Sequence, residues 1–179
     1  MTANRLCFIG NSHLACVKLA IDAERAALPT RSVDYFPGSG YLIDKFHVVD
    51  DHFLSTRDEY LLTQMTSISV GQDRIDMRAY DAFVLVGLGL EYRDLFQIFR
   101  MHRLHSDAKR AAGRAPVSDA YVTDFLAEAY ATRAGYWLAR KIRRVTSAPV
   151  IFLSSPYPAE AIISDTVNRH LLKLRQTSY

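Results

Sequence analysis

Apolar residues along the chain fall into short unbroken runs separated by longer stretches with helical spacing. Leu6 to Ile9 form the first run and stop at Gly10, which reads as a buried strand. From Leu14 to Leu28 apolar residues recur at 14, 17, 21 and 28 with alanines between them, which predicts a helix. Further strands are predicted at Ser32 to Phe36, Ala82 to Gly87 and Pro149 to Ser154. Strands alternating with helical stretches predict an α/β fold, a three-layer α/β/α arrangement whose mainly parallel sheet has the strand order 2-1-3-4. In such sheets a ligand site lies beyond the carboxyl ends of the strands. Ser12, Gly38, Gly40, Gly87, Gly89 and the stretch Ser154 to Tyr157 all fall at those ends.

Between the second and third strands, Leu61 to Val70, a turn at Gly71-Gln72-Asp73 and Arg74 to Met77 read as a β-hairpin decoration. Residues 91 to 105 keep a helical period at Leu95, Phe99 and Leu104, and Ala108 to Ala115 read as a small-residue, basic loop at a lid or rim. Ser118 reads as the N-cap of one long helix, with Tyr121, Phe125, Leu126, Tyr130, Trp137, Leu138 and Ile142 as its buried stripe.

Composition narrows the function classes. With 179 residues, 49% of them apolar, 8 glycines and 6 prolines, the chain is long enough for one well-cored domain spanning 1 to 179. A net charge of +3 gives no case for nucleic acid, and Arg140, Lys141, Arg143 and Arg144 have an ordinary role at the end of a helix. Neither a signal peptide nor a membrane span is legible, so a cytoplasmic protein without membrane partners is expected. Cys7 and Cys16 set no disulfide framework, and both are expected to be reduced and packed. No cofactor or metal is expected: Gly87-Leu88-Gly89 lacks the third glycine of a dinucleotide fingerprint, and His102, His105 and Asp107 stand without further ligands on what reads as a solvated helix face.

The residue with the most chemical promise is Ser12, on a sharp strand-to-helix turn. A serine there has its hydroxyl off the end of the sheet and its N–H among the unpaired donors of the helix start, where an oxyanion is stabilised. The alternative is an N-cap, with Asn11 or Ser12 bonding the first turn of the helix.

Gly10-Asn11-Ser12-His13 resembles the first block of the SGNH (GDSL-type) hydrolases, which carry their serine nucleophile in such a turn. Pro37-Gly38-Ser39-Gly40 is similar to the second block, Gly87-Leu88-Gly89 stands where the third has Gly-x-Asn, and Ser155-Pro156-Tyr157-Pro158 is similar to a proline-rich exit of many members. The resemblance implies an SGNH/flavodoxin-like fold, Ser12 as nucleophile, and oxyanion donors from Ser12 and from Gly38 or Gly40, with Gly89 in place of the asparagine. It implies small ester or acetyl groups, carbohydrate esters included, as substrates. The late Asp-x-x-His block has no counterpart after Pro158, and the chain reads as stopping before it. Asp165 and His170 are the late candidates for orienter and base, but on a helix five residues set them about 140° apart. His13, His47 and His52 read as surface histidines in preference to bases. Two functions follow: a serine ester hydrolase, or an SGNH-like binding or interaction module that has lost the chemistry. Oligomeric state is not legible.

Overall fold

The structure, a computed structural model, describes residues 5–24, 26, 32–38, 43–69, 71–89, 98, 102–105 and 115–154. In chain order the elements are β1 (Arg5–Gly10), α1 (His13–Ala23), β2 (Ser32–Pro37), a 3-10 turn (Ile43–Lys45), β3 (His47–Val49), β4 (Phe53–Ser55), α2 (Glu59–Ile68), β5 (Arg74–Asp76), β6 (Ala82–Val86), β7 (His102–Leu104), β8 (Ala115–Val117), α3 (Asp119–Ala131), α4 (Ala134–Val145) and β9 (Val150–Leu153). They belong to two compact units, residues 1–90 with 127–155, and residues 91–126 with 156–179.

In the first unit β1, β2, β6 and β9 form one parallel sheet in the order β2-β1-β6-β9, the predicted order. The two central strands are apolar on both faces because both faces are covered: all five residues of β6 and the last four of β1 are buried. Alternation divides their side chains between two cores. Cys7, Ile9, Phe83 and Leu85 join Phe36, Leu61, Met65, Leu138 and Ile142 in the larger one, whereas Phe8, Val84 and Val86 meet Leu14 of α1 and Tyr35 in the smaller.

A second sheet, β3-β4-β5, is antiparallel. A hairpin is present, but not where the sequence placed its first arm: Leu61 to Ile68 are helix, not strand. Leu61 and Met65, four residues apart, are fully buried, and Asp58 caps the helix by accepting the Leu61 N–H at 3.0 Å. Three threonines or isoleucines in the segment suggest a strand locally, but burial of one helical stripe outweighs propensities of a few tenths of a kcal/mol.

The tight turn joins β3 to β4 instead. Asp50 and Asp51 have left-handed φ of 48° and 60°, and the His52 N–H closes the turn by donating to the Val49 carbonyl at 3.3 Å, within a three-residue connection that pairs Val49 with Phe53. Such a turn favours glycine at its second central position. Asp51→Gly is therefore expected to raise stability by about 0.5–1 kcal/mol. Denaturant unfolding of the variant measures this, and a loss of stability would show that the Asp51 side chain contributes more than its backbone costs.

The long helix expected after Ser118 is two helices. Ser118 does cap α3, accepting the Tyr121 N–H at 3.1 Å. The chain then breaks at Thr132 and Arg133, where Arg133 is extended (ψ 140°), and α4 begins afresh. The single buried stripe is accordingly split: Leu138 and Ile142 are buried, but Tyr121 and Trp137 are each 48% exposed. Arg143 and Arg144 fall in the last turn of α4, where Arg143 donates to the carbonyls of Ser147 and Ala148 just past the helix, but Lys141 of the same cluster donates to the Phe46 carbonyl.

The second unit, taken alone, pairs β7 and β8 in parallel, with the His102 ring edge-on to Tyr121 at 6.1 Å. The helix read over 91 to 105 therefore does not include His102 to Leu104, which are strand; 91–97 and 99–101 lie outside the described residues. No described helix is long and apolar enough to cross a membrane.

Candidate active site

The serine turn is built by three residues from two strands. Gly10 ends β1 so close to β6 that an added Cβ would lie 2.6 Å from the Val86 carbonyl oxygen. Gly87 follows β6 with φ of 65°, and a Cβ there would lie 2.5 Å from Asn11 Oδ1. The Asn11 side chain fills the space so kept. Its Nδ2 donates to the Gly87 carbonyl at 2.8 Å and its Oδ1 accepts the His13 N–H at 3.0 Å. One amide thus caps the first turn of α1 and ties β1 to the end of β6.

The N-cap reading of the turn is met by one of its two candidates. Asn11 does the capping. Ser12 has helical backbone angles (φ −56°, ψ −24°), is exposed, and its hydroxyl makes no capping hydrogen bond. It opens onto a cleft of about 660 Å³ between α1 and α2, floored by Tyr35, Pro37 and Gly38 of and beside β2. Leu14, Ala15 and Lys18 of α1 and Tyr60, Gln64, Ser67 and Ile68 of α2 make its walls. Residues 60, 64, 67 and 68 fall on one face of a helix, as do 14, 15 and 18, so both walls are legible as helical spacing once the two helices are known to face each other.

The expected oxyanion donors are placed unevenly. Gly38 is at the cleft, but its N–H donates to the Gly10 carbonyl at 2.7 Å, so in this conformation it extends the sheet ladder and is not available to an oxyanion. Gly89 does not line the cleft; a Cβ on it would face Phe152 at 3.4 Å. Gly40, Asp165 and His170 lie outside the described residues.

Among the described residues lining the cleft there is no imidazole and no carboxylate. His47 and His52 sit on the antiparallel sheet, with their Nδ1 atoms against the carbonyls of Lys45 and Asp50, and His52 packs on Phe53. His13 follows Ser12 in the chain but does not line the cleft. Cys16, expected to be packed, is exposed, because α1 buries only Leu14 fully; Cys7 is buried as expected. No group of three or more metal-ligating side chains occurs among the described residues.

A polar cluster that the sequence did not reveal lies at the other end of the sheet. Asp34 accepts from Arg5 Nε and Nη2 at 3.1 and 3.0 Å and from the Tyr80 hydroxyl at 2.9 Å, and Arg5 stacks over the Tyr80 ring. Its one signal was an aspartate inside an otherwise apolar strand. Arg5 and Asp81 add a reciprocal pair of bonds, from the Arg5 N–H to the Asp81 carboxylate and from the Asp81 N–H to the Arg5 carbonyl, each 2.9 Å. The cluster closes the amino ends of β1 and β6 as Asn11 closes their carboxyl ends. The chain matches no family model, and no curated protein or solved structure is significantly similar to it.

Proposed function

We propose that the chain is an SGNH-like serine ester hydrolase, a three-layer α/β/α domain in which Ser12 attacks an ester carbonyl. The observation that carries this reading is the handover of the capping role to Asn11, which leaves an unbonded serine hydroxyl at a helix start beside a cleft of about 660 Å³. In the first step the Ser12 Oγ–carbonyl bond forms, the carbonyl electrons move onto oxygen, and the Ser12 N–H at the helix start donates to that oxyanion. The serine proton passes to a general base, the role that the resemblance gives to a late histidine. Collapse of the intermediate expels the alcohol, and water then releases the acid. Small esters and acetyl groups, carbohydrate esters among them, are the substrates the resemblance supports.

The second reading is a binding module of the same fold. It draws on the cleft itself, where the described lining offers no base and the Gly38 N–H is committed to Gly10. A fluorophosphonate probe separates the two. Labelling of the chain that disappears in Ser12→Ala and is slowed in His170→Ala supports the hydrolase and its base. Labelling that persists in Ser12→Ala assigns the nucleophile elsewhere, and no labelling of the folded chain leaves the binding module.

A further inference from the structure

The cleft has a chemical sign. Of the thirteen described residues that line it, Lys18 alone is charged, so an anionic group entering it meets an ammonium and no opposing carboxylate among them. The second polar contact is a donor as well. Gln64 Nε2 donates to the Tyr60 hydroxyl oxygen at 2.7 Å, which leaves the Tyr60 proton to be donated to another acceptor. Ser67, by contrast, spends its proton on the Thr63 carbonyl at 2.7 Å. Between these donors and Ser12 the α1 wall is apolar, formed by Leu14 and Ala15, with Tyr35 below and Ile68 opposite.

We infer that this cleft selects an ester whose acyl part ends in an anionic group, a carboxylate or phosphate, held by Lys18 and Tyr60 while Ser12 faces the carbonyl. The inference rests on the hydrolase reading for the identity of the reacting end and on the cleft alone for the anion. Lys18 stands six positions after Ser12, an axial rise of about 9 Å, so the two ends of the ligand are joined by a short apolar chain of several atoms that lies along Leu14 and Ala15. Lys18 is not withdrawn from this role by its neighbours. Its contact with Asp22 is an exposed i,i+4 pair, worth only about 0.3–0.5 kcal/mol, and an ammonium has three protons to share. The Tyr35 ring, 5.4 Å from Lys18 Nζ, holds the cation over the cleft floor.

Two measurements test this independently of each other. In the first, monomethyl suberate, an anion, and methyl 8-hydroxyoctanoate, its neutral counterpart, are titrated into 15N-labelled protein. The anion is expected to shift amides around Lys18, Tyr60 and Gln64, to bind about tenfold more tightly than the neutral compound, and to lose that advantage in Lys18→Met, which keeps the apolar stem. Added salt should weaken only the anion. Equal binding of the two compounds, or an unchanged preference in folded Lys18→Met, overturns the inference. In the second, phosphonate probes carrying a terminal carboxylate or its methyl ester compete for Ser12. Labelling without a preference for the carboxylate leaves the hydrolase and removes the anion site. Anion binding at Lys18 with no labelling by either probe removes the hydrolase and leaves the anion site.

Discussion

Gly87→Ala is expected to destabilise the protein by about 3 kcal/mol, a fall of ~6–12 °C in Tm for a chain of this size. Two costs add. At φ of 65° an L-residue pays about 1 kcal/mol that glycine does not, and the new Cβ would lie 2.5 and 2.6 Å from the two polar atoms of the Asn11 amide. The amide must move, and its bonds to the Gly87 carbonyl and the His13 N–H, worth about 1 kcal/mol each, are lost together. Because the second cost acts through Asn11, it vanishes when Asn11 is already alanine. The double variant Asn11→Ala/Gly87→Ala should therefore be less destabilised than the sum of the two single variants. Thermal unfolding of the four proteins closes the cycle. Strict additivity would show that the Gly87 Cβ does not act on the Asn11 side chain. Since the same amide sets the first turn of α1, the proposed hydrolase function has phosphonate labelling of Ser12 fall in both single variants while the fold persists.

Stability is expected to decline steeply in alkali. Burial pushes the Cys7 thiol well above its ordinary value of 9.0, with Asp34 adding to the rise and Arg5 opposing it. Burial likewise raises the Tyr80 hydroxyl above 10.0, reinforced by Cys7 and Asp34. Both groups thus keep their protons in the folded chain at a pH where the unfolded chain has released them. The unfolded state then binds fewer protons, and stability falls as pH rises. The stabilisation is fully present below about pH 9, declines from there through Cys7 by at most about 1.4 kcal/mol per pH unit, and declines faster above pH 10 as Tyr80 joins. Denaturant unfolding between pH 7 and 11 reads the slope. Cys7→Ala, which costs about 1 kcal/mol at neutral pH through lost packing, should flatten the curve between pH 9 and 10. A wild-type curve already flat to pH 11 would show that Cys7 is not enclosed in the core.

Much of the scaffold is local information. The runs at Leu6 to Ile9 and Ala82 to Val86 are too short and too apolar for anything but strands buried on both faces, and the helical stretches between them force parallel crossovers. The order β2-β1-β6-β9 agrees with the expected one, though many orders satisfy those constraints. Ser118 as a cap and Arg143 at the end of α4 were likewise legible, because each acts within about one turn of its own helix, whereas Lys141 of the same basic cluster donates to the distant Phe46 carbonyl. Errors arose where local signals compete. Threonine and isoleucine drew residues 61–68 towards a strand, and unbroken helical spacing concealed the break at Thr132 and Arg133.

The sequence by itself determined that a serine stands on a turn between a central strand and a helix, because that requires only the end of an apolar run and the start of a new period. Tertiary structure alone decided what the turn leaves free. Asn11 and Ser12 are equivalent candidates for the cap until the Gly87 carbonyl, 76 residues away, engages one amide and fixes the choice. The Gly38 N–H is an open donor until the Gly10 carbonyl comes within 2.7 Å of it. Lys18 lies on α1 and Tyr60 and Gln64 lie one turn apart on α2, and the two faces become one cleft only when α1 and α2 flank the β2 edge. Hydrophobic periodicity encodes which face of each element is buried; which polar groups are then satisfied, and which remain to bind a ligand, depends on contacts between elements that no period records.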